Sequence, residues 1–142
     1  MVIGVGTDGS DTAKKAVDFA LDMAERYNAK LVIASAYRPV SEDRIRKERS
    51  DAPQEIKWSI NPTEEVDAIL RTVDEQAGER GLEYLSEARN GDPADVLCDI
   101  AADHDVDVMV VGNKGMDRRI LGSVPNTVSH KAPCSVMIVK TA

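Results

Sequence analysis

Cysteine is scarce in this chain, with only Cys98 and Cys134 among 142 residues. Two thiols make neither a disulfide framework nor a metal knuckle. Cys98 falls on an apolar helix face and Cys134 opens a strand, so both read as core thiols. No apolar stretch approaches the length needed to span a bilayer. The opening Met1-Val2-Ile3-Gly4-Val5-Gly6 has no basic leader and runs straight into polar Thr7-Asp8. The expected compartment is the cytoplasm, with no membrane partner. Positive charge is in deficit, 18 Lys and Arg against 25 Asp and Glu, for a net charge of −7. That balance repels nucleic-acid phosphates at long range and argues against such a partner. A small phosphorylated ligand remains compatible, because a local basic loop outweighs the global charge at close range. Three catalytic signatures are also missing: the G-x-S-x-G elbow, the G-x-x-x-x-G-K-[ST] loop and a Cys–His arrangement at a promising spacing. No dedicated catalyst is visible, nor is there an internal repeat or a low-complexity tract.

What is present is ordinary for a globular protein: 42% hydrophobic and 30% charged residues. The length fits a single domain over residues 1–142, large enough to bury roughly two-thirds of its unfolded surface. Val2 to Gly6 reads as a short strand. A helix capped by Ser10 or Asp11 follows, with Ala13, Ala16, Val17, Ala20, Leu21 and Ala24 on one face. Leu31 to Tyr37 is nearly continuous in apolar residues, as a strand covered on both faces would be. From Arg38 to Pro62 the pattern breaks, around Trp58, Pro39, Pro53 and Pro62, and the segment reads as a flexible insertion. Thr63 caps a second helix with Val66, Ile69, Leu70, Val73 and Ala77 on one face and Gly81 as its stop. Leu82 to Ala88 is a more polar strand, expected at a sheet edge. Gly91-Asp92-Pro93 then supplies turn, cap and first residue of a helix that runs to about Asp103. Val106–Val111, Ser123–Lys131 and Val136–Val139 complete the series as strand, helix and strand. This alternation predicts an α/β fold with a doubly wound, five-stranded parallel sheet and four helices.

The most informative run is Val110 to Pro125. A buried strand leads into a glycine-rich loop carrying Lys114, Arg118 and Arg119, then into a helix start at Gly122-Ser123. Ser123 is a good N-cap, and Val124-Pro125 can occupy the first turn. Glycines that let backbone approach a ligand, followed by free amides at a helix N-terminus, make an anion cradle. The same glycines could equally mark a tight turn. Gly4-Val5-Gly6-Thr7-Asp8-Gly9 matches the dinucleotide fingerprint G-x-G-x-x-G, but two of its glycines would lie inside the strand. Nor does the second strand end in an acidic residue that could hold a ribose. Asp8 stands where open α/β sheets bind ligands and can serve a ribose hydroxyl, a helix cap, or both. Asp103-His104-Asp105 with Asp107 has metal-ligand composition, but it lies away from the loop and reads as a solvated turn. His130 and Lys131 suit a helix C-terminus.

Gly112-Asn113-Lys114-Gly115, Gly122-Ser123-Val124 and Ala132-Pro133-Cys134-Ser135-Val136-Met137-Ile138-Val139 together resemble the universal stress protein family. Gly6-Thr7-Asp8-Gly9-Ser10 and Gly91-Asp92-Pro93 match its pattern too, so the resemblance covers nearly the whole chain in order. It implies a small α/β protein of five parallel strands and four helices, dimeric, in a family with a large ATP-binding class. That class carries G-x2-G-x9-G-[ST]. Here only Met116 to Leu121 separate Gly115 from Gly122, three residues short of that spacing, which implies a tighter cradle and admits AMP, ADP or cyclic AMP beside ATP. By the same resemblance Asp8 would hold the ribose, Ala36 would present backbone to the adenine edge, and Val111 would line the base pocket. Gly112, Gly115, Gly122, Ser123 and Val124 would surround the phosphates, with any Mg²⁺ riding on them. The expected function is an adenine-nucleotide-binding sensor or regulator of a stress response, homodimeric through Val136–Val139. A slow ATPase or phosphotransferase using the same site, and a ligand-free dimerisation module, are the alternatives.

Overall fold

The computed structural model describes residues 1–37, 63–113 and 123–140. The insertion expected at 38–62 and most of the basic loop, 114–122, lie outside these described residues. The elements in chain order are β1 (Val2–Gly6), α1 (Asp11–Tyr27), β2 (Lys30–Tyr37), α2 (Thr63–Glu79), β3 (Tyr84–Asn90), α3 (Pro93–Asp103), β4 (Val108–Gly112), α4 (Ser123–Lys131) and β5 (Ser135–Val139). The strands form one sheet in the order β3-β2-β1-β4-β5, and every pairing is parallel. The expected doubly wound five-stranded fold is therefore the observed one.

Strand periodicity sorts side chains to the two faces. Ile3, Val5, Leu31, Ile33 and Val110 pack with α1 and α2, while Val32, Ala34, Met109 and Val111 pack with α3 and α4. The central strands are apolar on both faces because helices cover both, whereas β3 has intermediate exposure throughout its middle, as an edge strand should. Gly4 and Gly6 do lie within β1. A Cβ on Gly6 would meet Leu97 Cδ1 at 2.7 Å, so the absent side chain lets α3 sit close to the sheet.

Three helices end alike. Asn28, Gly81 and Asp105 take positive φ, and the following residues Ala29, Leu82 and Val106 donate back to Ala24, Ala77 and Ala101 carbonyls at 2.9, 3.1 and 3.0 Å. Each is a Schellman motif, in which the apolar residue after the left-handed one folds back onto its helix. This corrects two strand boundaries. Leu82 and Val106, expected to open strands, belong to helix caps, so β3 starts at Tyr84 and β4 at Val108. No helix of the described residues is long and apolar enough to cross a membrane.

Candidate functional site

In this strand order β1 is flanked by β2 on one side and β4 on the other, and the chain reverses direction across the sheet between β1 and β4. At such a switch point the connections leave in opposite directions and open a crevice outside the carboxyl ends of the strands. A cleft of about 550 Å³, open on one side, lies there. Its floor is the end of β1 (Gly6, then Thr7 and Asp8), of β2 (Ser35, Ala36) and of β4 (Val111, Gly112). Its walls are the first turns of three helices: Thr12 and Ala13 of α1, Pro93 with Leu97 of α3, and Val124 with Pro125 of α4.

The turn after β1 is held from several sides. Thr7 N donates to Ala34 O at 3.0 Å, and the buried Ser35 hydroxyl donates to Thr7 O at 2.7 Å. Gly9, at φ +80°, makes the reversal that a side chain would strain, and its N–H donates to Thr7 Oγ1 at 3.2 Å. Asp8 Oδ1 accepts from Ser10 N at 2.9 Å, and Ser10 Oγ caps α1 by accepting from Ala13 N at 3.2 Å. The sequence reading of Asp8 as part of the helix entry is thus met in the structure, and the same side chain borders the cleft. Across the cleft Gly112 touches α1 backbone to backbone. A Cβ there would stand 2.8 Å from Thr12 O, so no other residue fits without moving the helix.

Of the residues singled out from sequence, Asp8, Ala36, Val111, Gly112 and Val124 border this one cleft. Ser123 opens α4 next to Val124. Gly115 and Gly122 lie outside the described residues.

The sequence profile of the universal stress protein family matches residues 1–140. The chain belongs to the universal stress protein family. A universal stress protein of Mycobacterium tuberculosis is 39% identical over 141 residues, taking in 96% of this chain and 94% of the relative. One from Bacillus subtilis is 30% identical over 153 residues, 96% of each chain. A crystal structure of a universal stress protein in complex with cAMP aligns with a TM-score of 0.74 and 36% identity, covering 100% of this chain and 98% of that one. UspA from Lactobacillus plantarum, 23% identical with a TM-score of 0.72 over 98% of this chain and 97% of its own, shares the fold.

In this universal stress protein several cleft residues escaped the sequence reading. Thr7, Thr12, Ser35, Pro93, Leu97 and Pro125 also line it. Ser35 had a signal: a hydroxyl inside an apolar strand buried on both faces must find a partner, and here that partner is the site's own turn. Away from the cleft, Asp103 and Asp105 are exposed, and Asp103 and His104 join a surface ion-pair network. Arg89 bonds both Glu87 and Asp103, the latter at 2.7 Å, and His104 Nε2 lies 3.1 Å from Glu87 Oε1. These groups lie partly shielded between β3 and the end of α3, where opposite charges attract more strongly than in open water. Asp107 instead accepts from Val2 N at 2.7 Å and ties β1 to the start of β4. No group of three metal-ligating side chains converges among the described residues. A second groove of about 630 Å³ between α1 and α2 is bordered by Lys14, Asp18, Ile69 and Gln76, and none of the described residues singled out for nucleotide binding borders it.

Proposed function

We propose that this universal stress protein binds an adenine nucleotide in the switch-point cleft and acts as a sensor or regulator in a cytoplasmic stress response. The observation that carries the reading is the convergence of three helix first turns on one crevice at the ends of β1, β2 and β4. Helix N-termini present unsatisfied amides and the positive end of the dipole, which favours phosphate. The apolar surfaces of Ala36, Leu97 and Val111 suit a flat base. Asp8 is the only ionisable side chain among the described residues bordering the cleft, and a carboxylate is the acceptor type that suits a ribose hydroxyl. A relative 36% identical along the whole chain was solved with cAMP, which supports a ligand of this class. We assign Gly112, Gly115, Gly122, Ser123 and Val124 to the phosphates. The short spacing from Gly115 to Gly122 favours cyclic AMP, AMP or ADP over ATP with Mg²⁺.

Calorimetry with cyclic AMP, AMP, ADP and ATP, with and without Mg²⁺, tests the reading directly. We expect saturable binding of at least one adenine nucleotide, abolished by Gly115→Val or Gly122→Val in a folded protein. Absence of binding by all four would reject the site. Any hydrolysis should fall far below a typical enzyme rate of ~10 per second, because among the described residues the cleft offers Asp8 alone as an ionisable group.

A further inference from the structure

Cys98 and Cys134 do not border the cleft, yet the fold joins their surroundings on two sides. On one side Asp95 of α3 and Lys131 at the end of α4 form an ion pair at 3.9 Å, and each cysteine stands three residues after its member of that pair. On the other side, one turn beyond Cys98, Ala101 O accepts from Val106 N at 3.0 Å. The next residue, Asp107, accepts through its carbonyl from Ser135 N, adjacent to Cys134, at 3.3 Å. A circuit of short contacts thus encloses the seam that holds both thiols. The two side chains are half-buried and pack against the same apolar cluster beneath α3 and α4. Burial pushes the Cys98 thiol up most, with Asp95, Asp99 and Cys134 adding to it. Burial likewise raises Cys134.

We propose that Cys98 and Cys134 are a paired modification site, at which hydrogen peroxide forms an intramolecular disulfide tying α3 to the start of β5. In the first step one thiol attacks the peroxide O–O bond, giving a sulfenic acid and one water. The second sulfur then attacks the sulfenic sulfur, and the hydroxyl leaves with that thiol's proton as a second water. The two thiols lose two electrons and two protons, and the peroxide is reduced to two waters. Because both thiols are raised, thiolate is scarce at neutral pH and the cross-link answers sustained oxidant rather than a brief pulse. Its position matters to the molecule because Leu97, beside Cys98, forms a wall of the cleft. The chemistry itself does not depend on the nucleotide reading.

The test treats the full chain with hydrogen peroxide, blocks remaining thiols under denaturing conditions, and maps unreduced peptides by mass spectrometry. The expected result is a peptide pair linked through Cys98 and Cys134, a monomer mass lower by two hydrogens, and recovery of both thiols with dithiothreitol. Cys98→Ser and Cys134→Ser should each abolish the linked pair. Recovery of two separately blocked thiols, oxidation of each cysteine alone to sulfinic acid, or links only between chains would overturn the proposal.

Discussion

Ser35 and Gly112 shape the cleft by opposite means, one through a bond and the other through the lack of a side chain. The Ser35 hydroxyl, 1% exposed, holds Thr7 O at 2.7 Å. Removing it leaves a carbonyl at the site's turn with one partner fewer. Ser35→Ala should cost about 1–2 kcal/mol, read from the denaturant midpoint. A cost indistinguishable from zero would mean that water replaces the hydroxyl. A Cβ on Gly112 would stand 2.8 Å from the backbone carbonyl oxygen of Thr12, whereas one on Gly6 would meet the tip of the Leu97 side chain at 2.7 Å. A side-chain tip can rotate away, but a helix's first turn must move as a unit. Gly112→Ala should therefore destabilise by about 1–3 kcal/mol, and more than Gly6→Ala does. It should also weaken nucleotide binding, since Thr12 borders the cleft. Equal costs at the two glycines would remove the distinction between backbone and side-chain obstruction.

The ends of elements were less legible in the sequence than their interiors. The apolar faces of α1, α2 and α3 and the runs of β1 and β2 follow from periods of 3.6 and 2, which one chain segment displays by itself. In the sequence Leu82 and Val106 resemble strand residues, because an apolar side chain after a helix looks like a strand opening. Only the long-range back-bonds show that each closes a Schellman cap. For the same reason, Asp8, Val111 and Gly112 could be singled out at strand ends, but Pro93 and Leu97 come to the cleft only through the layer that α3 occupies. Asp105, exposed and at φ +51°, is a left-handed cap residue with a side chain. Asp105→Gly should stabilise by about 0.5–1 kcal/mol, seen as a raised thermal midpoint, and a lowered midpoint would contradict the strain. The link between β3 and α3 is electrostatic. The Arg89 guanidinium holds the Glu87 carboxyl below its usual 4.5, against burial that raises it and with help from His104. A depressed folded value means that this stabilisation is complete above pH 4.5 and is lost as pH falls through the folded value. Glu87→Gln should flatten the acid limb of the stability curve below about pH 4.5, while lowering stability at neutral pH. An unchanged acid limb would show that the network does not distinguish folded from unfolded chains.

At the scale of the whole molecule, β3 and β5 are the outermost strands among the described residues, and the sequence equips them differently. β3 carries Glu87 and Arg89, charges that keep other strands away, while Ser135–Val139 carries none. Along β5, Met137 and Val139 pack on the α1 and α2 side and Val136 and Ile138 on the α3 and α4 side, all only half-buried. Backbone direction adds to this. Ser135 N bonds Asp107 O and Val139 O accepts from Asn113 N, so those residues turn their polar groups toward the β4 side. With a period of two, Val136 and Ile138 turn theirs outward. The flank of α1 on this side extends the apolar edge. Thr12 seats on Gly112, and seven and eleven residues later on the same stripe come Phe19, 44% exposed, and Met23. A second copy related by a two-fold axis would pair β5 antiparallel with itself, satisfying both outward rows and covering both apolar flanks. Ile138→Pro removes an outward donor and leaves the bonds to β4 in place, so the fold should survive. Light scattering at micromolar concentration should then give a dimer for the unmodified chain and a monomer for the variant, both with the same circular dichroism. A monomeric unmodified chain would dismiss the pairing. A variant that stays dimeric would move the interface to another face.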